Sequence, residues 1–192
     1  MTDRPRLLDR RAALTAGATT LSAAGMLAVL GAATPRRAFA AGAPAQDVQL
    51  LNAAIALEHE GIAAYQIGAE SGLLAPEVLK TAVTFQGHHK QHRDELAAAV
   101  RRLGGQPVAA KSLSAYATDL GAPALKDQAG VLKLALKLER GAANAYLGLI
   151  PSLDQTELHV LAARMAGDEA FHAALLGHAL GEAIPPNALI FG

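Results

Sequence analysis

The side chains in this sequence that could do chemistry are acids and histidines set inside otherwise apolar helical stripes. Each residue of a helix turns by about 100°, so a step of seven residues returns to nearly the same face. One such stripe places Glu58 between Ile55 and Ile62 and then reaches Tyr65. Stripes traced in this way along four segments are each interrupted near the middle, and the interrupting residues are Glu58, His89, His92, Glu139, Glu169 and His172.

Acids and imidazoles at such positions predict a bound metal ion. Burying an ionised carboxylate without a partner costs several kcal/mol, and three carboxylates that face one another also repel. Divalent transition metals accept carboxylate and imidazole ligands together. Glu169 and His172 lie three residues apart on one helix face, so both can reach one ion. Tyr65 and Tyr146 each follow a glutamate by seven residues and are expected to orient these ligands by hydrogen bonding.

The elements that must position these residues are four helices, of which the first two form a hairpin. Asp47 is expected to cap a helix that runs to Ser71. Pro76, in a first-turn position, opens the next helix, which ends at the pair Gly104-Gly105. The connection between the two helices is short, which predicts that they run antiparallel.

The other two helices form a second hairpin. Asp127 is expected to cap the third helix, which Pro151 terminates. The run Asp154-Gln155-Thr156-Glu157 is an acidic variant of the capping box and predicts the start of the fourth helix, which ends near Gly181. No run of alternating β-branched residues indicates a strand.

The second hairpin repeats the first. The Glu58–Tyr65 pair returns 81 residues later, and His92 returns 80 residues later as His172. Residues 104–126 between the hairpins are long enough to cross the length of a bundle, with room for a short helix around 113–120. The sequence therefore predicts an all-α four-helix bundle of two hairpins joined by a long crossover.

The order of these residues resembles the ferritin-like four-helix carboxylate proteins, which place acids and histidines on four helices in this way. The resemblance implies that Glu58 and Glu139 are terminal ligands and that Glu169 bridges two metal ions. It also implies that His92 and His172 each hold one ion. In such proteins the metal is usually iron or manganese, and the chemistry is oxidation by oxygen or peroxide, or iron handling.

The second helix departs from that family pattern. It reads His89-x-x-His92, whereas the family has Glu-x-x-His. A neutral imidazole binds one ion through one nitrogen, so a dinuclear centre would need a water or hydroxide to complete its bridge. The departure keeps a mononuclear centre open, with manganese, zinc or copper as its metal.

The first forty residues have the features of an export signal. Arg10-Arg11 precede an uncharged stretch, 12–35, and the small residues around Ala40 are typical of a cleavage site. This segment resembles a twin-arginine signal, which predicts an export machinery as partner and a periplasmic or other exported location. An uncleaved membrane anchor is the alternative, since the uncharged stretch is long enough to span. The predicted divisions are a signal at 1–40, a linker at 41–46, the bundle at 47–184 and a tail at 185–192.

Composition excludes several other classes of function. The 192 residues include no Cys, which rules out disulfides, thiolate metal sites and cysteine nucleophiles. Acidic and basic residues balance at 17 each, but residues 41–192 carry four more acidic than basic ones. A net negative charge argues against nucleic acid as a partner.

Three hypotheses of function follow. The first is an exported ferritin-like protein that holds one or two transition metals and has a redox or metal-handling role, with oxidase- or peroxidase-type activity as its enzymatic form. The second is a metal-free structural or interaction bundle in the same compartment, and an exported enzyme of another type using the same pocket is a weaker third. The sequence leaves a homo-oligomer open, and it predicts no membrane span after cleavage.

Overall fold

The computed structural model describes residues 43–192, so the predicted signal at 1–40 lies outside the described residues. The helices are α1 (Ala43–Glu70), α2 (Pro76–Arg102), α3 (Leu113–Asp119), α4 (Gln128–Leu149) and α5 (Thr156–Ala179). Short 3-10 turns lie on either side of α4, at Ala122–Ala124 and Ile150–Ser152. Residues 43–192 contain no strand.

The helices pair as two hairpins. α1 packs against α2, α4 packs against α5, and α1 also contacts α4. The crossover between the hairpins contains α3, which lies against α1. The prediction of an all-α bundle of two hairpins with a long crossover is therefore confirmed. Within the described part of the chain, none of the helices is both long and apolar enough to cross a membrane.

Several helix ends lie where the local sequence predicts them. Pro76 is the first residue of α2, where its missing N–H leaves no intrahelical bond unmade. Asp127 caps α4, because its Oδ1 accepts the N–H of Gly130 at 2.7 Å. Gly72 and Gly104 follow α1 and α2 with φ of 70° and 77°, a conformation that other residues rarely adopt.

The caps of two helices differ from the prediction, and Asp47 is involved in both. α1 begins at Ala43, so most of the predicted linker 41–46 is helical and Asp47 lies inside α1 rather than at its cap. The fully buried Asp47 carboxylate instead accepts the N–H of Asp154 at 2.9 Å and the side-chain amide of Gln155 at 3.4 Å. Gln155 occupies the N-cap of α5 without a side-chain bond, so the predicted capping box does not form. A buried anion from α1 satisfies this helix start because the free N–H groups and the helix dipole both favour negative charge there.

The start of α2 is satisfied in a related way. Ala75 is the N-cap of α2 and has no side-chain cap of its own. Its N–H donates to the side-chain oxygen of Gln128 on α4, at 2.8 Å. A residue near the start of each hairpin's leading helix, Asp47 or Gln128, thus supports the start of the other hairpin's second helix.

The apolar core has two main parts. The basal cluster contains Leu51, Ala54, Ile55, Leu96, Ala97, Ala99, Val100, Tyr146, Leu149, Leu153, Leu158, Ala162, Met165 and Ala166. The apical cluster contains Tyr65, Ala82, Phe85, Leu132, Leu136, Ala173 and Leu176, and Phe191 of the C-terminal tail packs against it. Along every long helix the predicted metal ligands fall between these two clusters, so the bundle places them at mid-depth.

Candidate metal centre

The six predicted ligands converge in the middle of the bundle. Each of the four long helices contributes at least one of them, and all six are buried, with exposed fractions between 0 and 6 %: Glu58, His89, His92, Glu139, Glu169 and His172. The apolar clusters above and below exclude water, so these polar groups must satisfy one another or bind an ion.

A glycine on α1 makes room for one of these side chains. A Cβ placed on Gly61 would lie 3.1 Å from Nδ1 and Cε1 of the His89 ring. Glycine inside a helix costs about 1 kcal/mol relative to alanine, so a close approach is a reason for its presence. Gly61 thus allows α2 to bring the His89 imidazole against α1.

The ligands form two overlapping groups of potential donors. Within each group, one ligand atom from every residue lies within 4.8 Å of the others. The first group is Glu58, His89, His92 and Glu169, and the second is His89, Glu139, Glu169 and His172. His89 and Glu169 belong to both groups, so they lie between the two positions that an ion could take.

The first group is arranged around one nitrogen of each of its histidines. His89 Nδ1 lies 2.8 Å from Glu58 Oε2 and 3.6 Å from Glu169 Oε1. His92 Nδ1 lies 3.0 Å from Glu169 Oε1 and 3.7 Å from Glu58 Oε1. Two imidazole nitrogens and two carboxylates thus face a common space.

In the second group, the shared residues His89 and Glu169 contribute their other ring nitrogen and their other carboxylate oxygen. His89 Nε2 lies 3.2 Å from Glu139 Oε1. His172 Nδ1 lies 3.2 Å from Glu169 Oε2 and 3.4 Å from Glu139 Oε2. His89 therefore presents one ring nitrogen to each group, and Glu169 one oxygen. The sequence interpretation assigned His89 to a single ion, whereas its ring lies between the two groups.

The two tyrosines cross between the hairpins. The Tyr65 hydroxyl donates a hydrogen bond to Glu139, and the Tyr146 hydroxyl donates one to Glu58. Each tyrosine thus binds the glutamate of the opposite hairpin rather than the one seven residues before it. Because both hydroxyls are bound to carboxylates, they fix the orientation of Glu58 and Glu139.

These contacts shift the pKa values of the three buried carboxyl groups in different directions. Burial alone raises the pKa of Glu58, but the imidazoles of His89 and His92 outweigh it and hold that pKa at about 2. Burial is likewise outweighed at Glu139, where hydrogen bonds from His172 and His89 hold the pKa well below its usual range. At Glu169 burial prevails and raises the pKa. Two permanent anions therefore flank one acid that holds its proton more strongly.

The pKa values of His89, His92 and Tyr146 are all raised. Burial alone lowers the pKa of His92, but bonds to Glu169 and Glu58 outweigh burial and raise it to about 10. The same competition raises the pKa of His89 well above 6.5. In the metal-free centre, imidazolium protons therefore supply the positive charge that the buried carboxylates require. Burial and a neighbouring glutamate raise the pKa of Tyr146, so its hydroxyl remains a donor.

The outer nitrogens of two histidines have partners that sequence reasoning missed. His92 Nε2 lies 3.1 Å from Oδ2 of Asp168, whose side chain is 61 % exposed. His172 Nε2 lies 2.9 Å from His88 Nδ1, and the two rings are stacked. Such contacts fix the ring orientation of a metal-binding imidazole. The sequence interpretation considered His88 only as part of a polar surface patch, and adjacency to a predicted ligand was the one signal that could have identified it or Asp168.

This donor set fits a transition metal. Three carboxylates and three imidazoles combine hard and borderline ligands, which suits iron, manganese and zinc. The imidazole nitrogens nearest the carboxylates face the same space as the carboxylate oxygens. The outer nitrogens of His92 and His172 instead contact Asp168 and His88. In chemical terms the centre can bind a cation, balance its charge with two permanent anions and hold a proton on Glu169.

Comparisons with known proteins agree with the observed fold. A family model described as a ferritin-like domain matches residues 46–182. The solved structures include a crystal structure of a conserved hypothetical protein from Mycobacterium tuberculosis, which is similar with a TM-score of 0.61 and 22 % identity. The alignment covers 76 % of this chain and 97 % of that one, and at this identity it shows the fold alone. No curated protein matches the chain.

The family match covers all four long helices, from the first turns of α1 to just beyond α5. The buried clusters of histidine and glutamate that it contains are compatible with metal binding. On the match over residues 46–182, together with the observed bundle, this chain belongs to the ferritin-like domain family.

Proposed function

We propose that this protein binds two transition metal ions, iron or manganese, at the centre between its four long helices and has a redox or metal-handling role. The observation that carries the proposal is the pair of overlapping ligand groups, each with four buried donors within 4.8 Å. Glu169 offers a separate oxygen to each group, which favours two ions over one, while His89 as a neutral imidazole would ligate only one of them through one nitrogen. Zinc and copper accept the same ligand types and are the competing metals.

The chain's own residues define what the centre contributes. Bound iron or manganese would supply the redox chemistry with oxygen or peroxide. Glu58 and Glu139 provide the negative charge, and the crossed tyrosine bonds keep their oxygens directed into the bundle. Glu169 holds a proton more readily than the other two acids, so binding of a cation would displace that proton together with those of the imidazolium groups that become ligands.

Metal analysis of the purified mature protein tests the proposal. After incubation with Fe(II) or Mn(II) and dialysis, wild type is expected to retain stoichiometric metal, whereas Glu139→Ala loses most of it. Glu157→Ala, which changes an exposed acid in the first turn of α5, is the matched control and retains the wild-type amount. If wild type and Glu139→Ala carry the same substoichiometric metal, the proposal fails.

A redox enzyme and a metal carrier are separated by a second measurement. Ferrous ion is added with peroxide, and ferrous oxidation is followed over many equivalents. Continued oxidation that is faster than in buffer alone or with Glu139→Ala indicates an oxidase- or peroxidase-type enzyme. Uptake that stops at the stoichiometry of the site indicates a carrier.

A metal-free structural bundle is the second candidate, and one observation favours it. Every buried side-chain nitrogen and oxygen in the described part of the chain has a hydrogen-bond partner without any metal. On this alternative the imidazolium–carboxylate network only stabilises the fold. It predicts that metal addition leaves the midpoint of thermal unfolding unchanged, whereas a metal-binding centre raises it.

We also propose that residues 1–40 direct export by the twin-arginine route and that cleavage follows Ala40. The support is the Arg10-Arg11 pair, the uncharged stretch behind it and the small residues before position 41. The mass of the exported protein tests this, since cleavage after Ala40 leaves a chain that begins at Ala41. An exported protein of full-length mass would instead indicate the anchor.

A further inference from the structure

An apolar pocket lies at the apical end of the bundle, on the side of the centre away from the basal cluster. Its volume is about 220 Å³, and all four long helices contribute to its walls. The lining includes Leu74, Val78, Leu132, Ala135 and Leu176. Thr81 and Leu175 on its rim are exposed, so the pocket can be entered from solvent.

The polar groups on the walls are already bound elsewhere. The Thr81 hydroxyl donates to the Glu77 carbonyl at 3.1 Å, and the Tyr65 hydroxyl donates to Glu139. No charged side chain is among the lining residues that the structure describes. A ligand with charge or several polar groups would lose its hydration without gaining partners, so the walls select an uncharged apolar molecule.

The volume sets the size of that molecule. An apolar cavity of about 150 Å³ in another protein stays free of water and takes up benzene. A pocket of about 220 Å³ accommodates a somewhat larger molecule, such as one substituted aromatic ring.

The pocket shares a wall with the candidate metal centre. The Phe85 ring stacks on His172 with 4.0 Å between ring centroids, and the Tyr65 ring lies 5.4 Å from that of His89. Phe85 and Tyr65 also line the pocket. A molecule inside it would therefore contact two rings that in turn contact two predicted ligands.

We propose that this apical pocket is a binding site for a small uncharged apolar molecule, of the size of one substituted aromatic ring, held against Phe85 and Tyr65. The site is distinct from the metal-binding centre and does not need metal to form, because its walls are side chains already in place. The metal-binding proposal and this one can therefore fail separately.

The test uses toluene as the probe and the metal-free mature protein. Toluene is expected to raise the midpoint of thermal unfolding in a saturable manner. Its methyl protons are expected to show intermolecular nuclear Overhauser effects to the ring protons of Phe85 and Tyr65. The double variant Ala82→Leu/Ala135→Leu fills the pocket and is expected to weaken toluene binding about tenfold or more.

Two controls keep the result interpretable. Ala163→Leu adds the same side chain at an exposed position of α5 and should leave toluene binding unchanged. If the double variant does not fold, Leu132→Trp replaces it as the filling variant. Absence of a saturable shift in wild type, equal binding by the filled and wild-type pockets, or Overhauser effects that omit Phe85 and Tyr65 would each overturn the proposal.

Discussion

The two hairpins of this bundle are similar in layout but interlock rather than stand side by side. Each donates one tyrosine hydroxyl to the glutamate of the other, through Tyr65 and Tyr146. Each also supports a helix start of the other, through Asp47 and Gln128. Neither hairpin can therefore complete its half of the centre alone. Although the sequence repeats, the two hairpins are expected to fold as one cooperative unit.

The hairpins differ at one position of the centre. His89 in the first hairpin occupies the place that Glu169 takes 80 residues later in the second. Both residues are shared between the two ligand groups. The difference replaces one buried negative charge by a group that carries a positive charge when protonated. In the metal-free centre, His89 therefore helps to neutralise the remaining buried carboxylates.

The largest effect on stability is expected from replacing His89 by the residue type that the second hairpin has at the matching position. His89→Glu places a fourth carboxylate in the centre and removes an imidazolium, and the metal-free protein is expected to lose about 3–5 kcal/mol of unfolding free energy. Saturating Mn(II) should recover much of this loss, because the cation neutralises the added charge. Urea unfolding with and without Mn(II) measures both.

The exposed Gln91 on the same helix provides the control for that experiment. Gln91→Glu adds the same charge outside the centre and should change stability by no more than about 0.5 kcal/mol. A metal-free His89→Glu protein as stable as wild type would show that His89 does not balance the charge of the centre.

The pH dependence of the metal-free protein tests the same charge balance without a mutation. The pKa of His92 is raised from 6.5 to about 10, so its stabilising contribution is complete below pH 6.5 and is lost as pH rises through 10. The pKa of Glu58 is lowered from 4.5 to about 2, so its contribution is complete above pH 4.5 and is lost as pH falls toward 2. Together they predict greatest stability between pH 4.5 and 6.5.

Urea unfolding in the presence of a chelator, repeated from about pH 2 to about pH 10, measures this profile. His92→Gln should flatten the alkaline side, whereas His178→Gln, at an exposed position of α5, should not. An alkaline side that persists in His92→Gln would assign the pH dependence to other groups.

The crossed tyrosines allow a direct comparison of the two halves. Tyr65→Phe and Tyr146→Phe each leave a buried carboxylate without one hydrogen bond, which costs about 1–3 kcal/mol. Tyr146 is 1 % exposed inside the basal cluster, while Tyr65 is 7 % exposed and lines the apical pocket. Tyr146 is the more deeply buried of the two tyrosines, so Tyr146→Phe should cost more when both are measured by urea unfolding. Equal costs, or the reverse order, would contradict the difference in burial.

The contacts between hairpins at the helix starts should give the smallest effects. Asp47 is fully buried and its charged carboxylate accepts two bonds, so Asp47→Ala is expected to cost about 1–3 kcal/mol. Gln128 accepts one bond at a more exposed site, and Gln128→Ala is expected to cost about 0.5–1.5 kcal/mol. Thermal unfolding compares them, and equal losses would contradict the difference in burial.

The sequence alone determined the parts of this structure that depend on local spacing. The helical period placed Glu58, Glu139 and Glu169 on buried stripes, and Pro76 and Asp127 marked helix starts that the structure confirms. These features are readable because a helix relates residues three to seven positions apart through its own geometry, independently of its neighbours.

Only the tertiary structure decided which groups meet across helices. The seven-residue spacing is the same whether Tyr65 binds Glu58 or Glu139, and an acid at a helix cap and an acid inside a helix look alike at Asp47. These choices depend on the rotation and separation of packed helices, which arise from the fit of many side chains at once. The apical pocket has the same origin, since it is the space that four helices leave between them where their apolar side chains do not fill it.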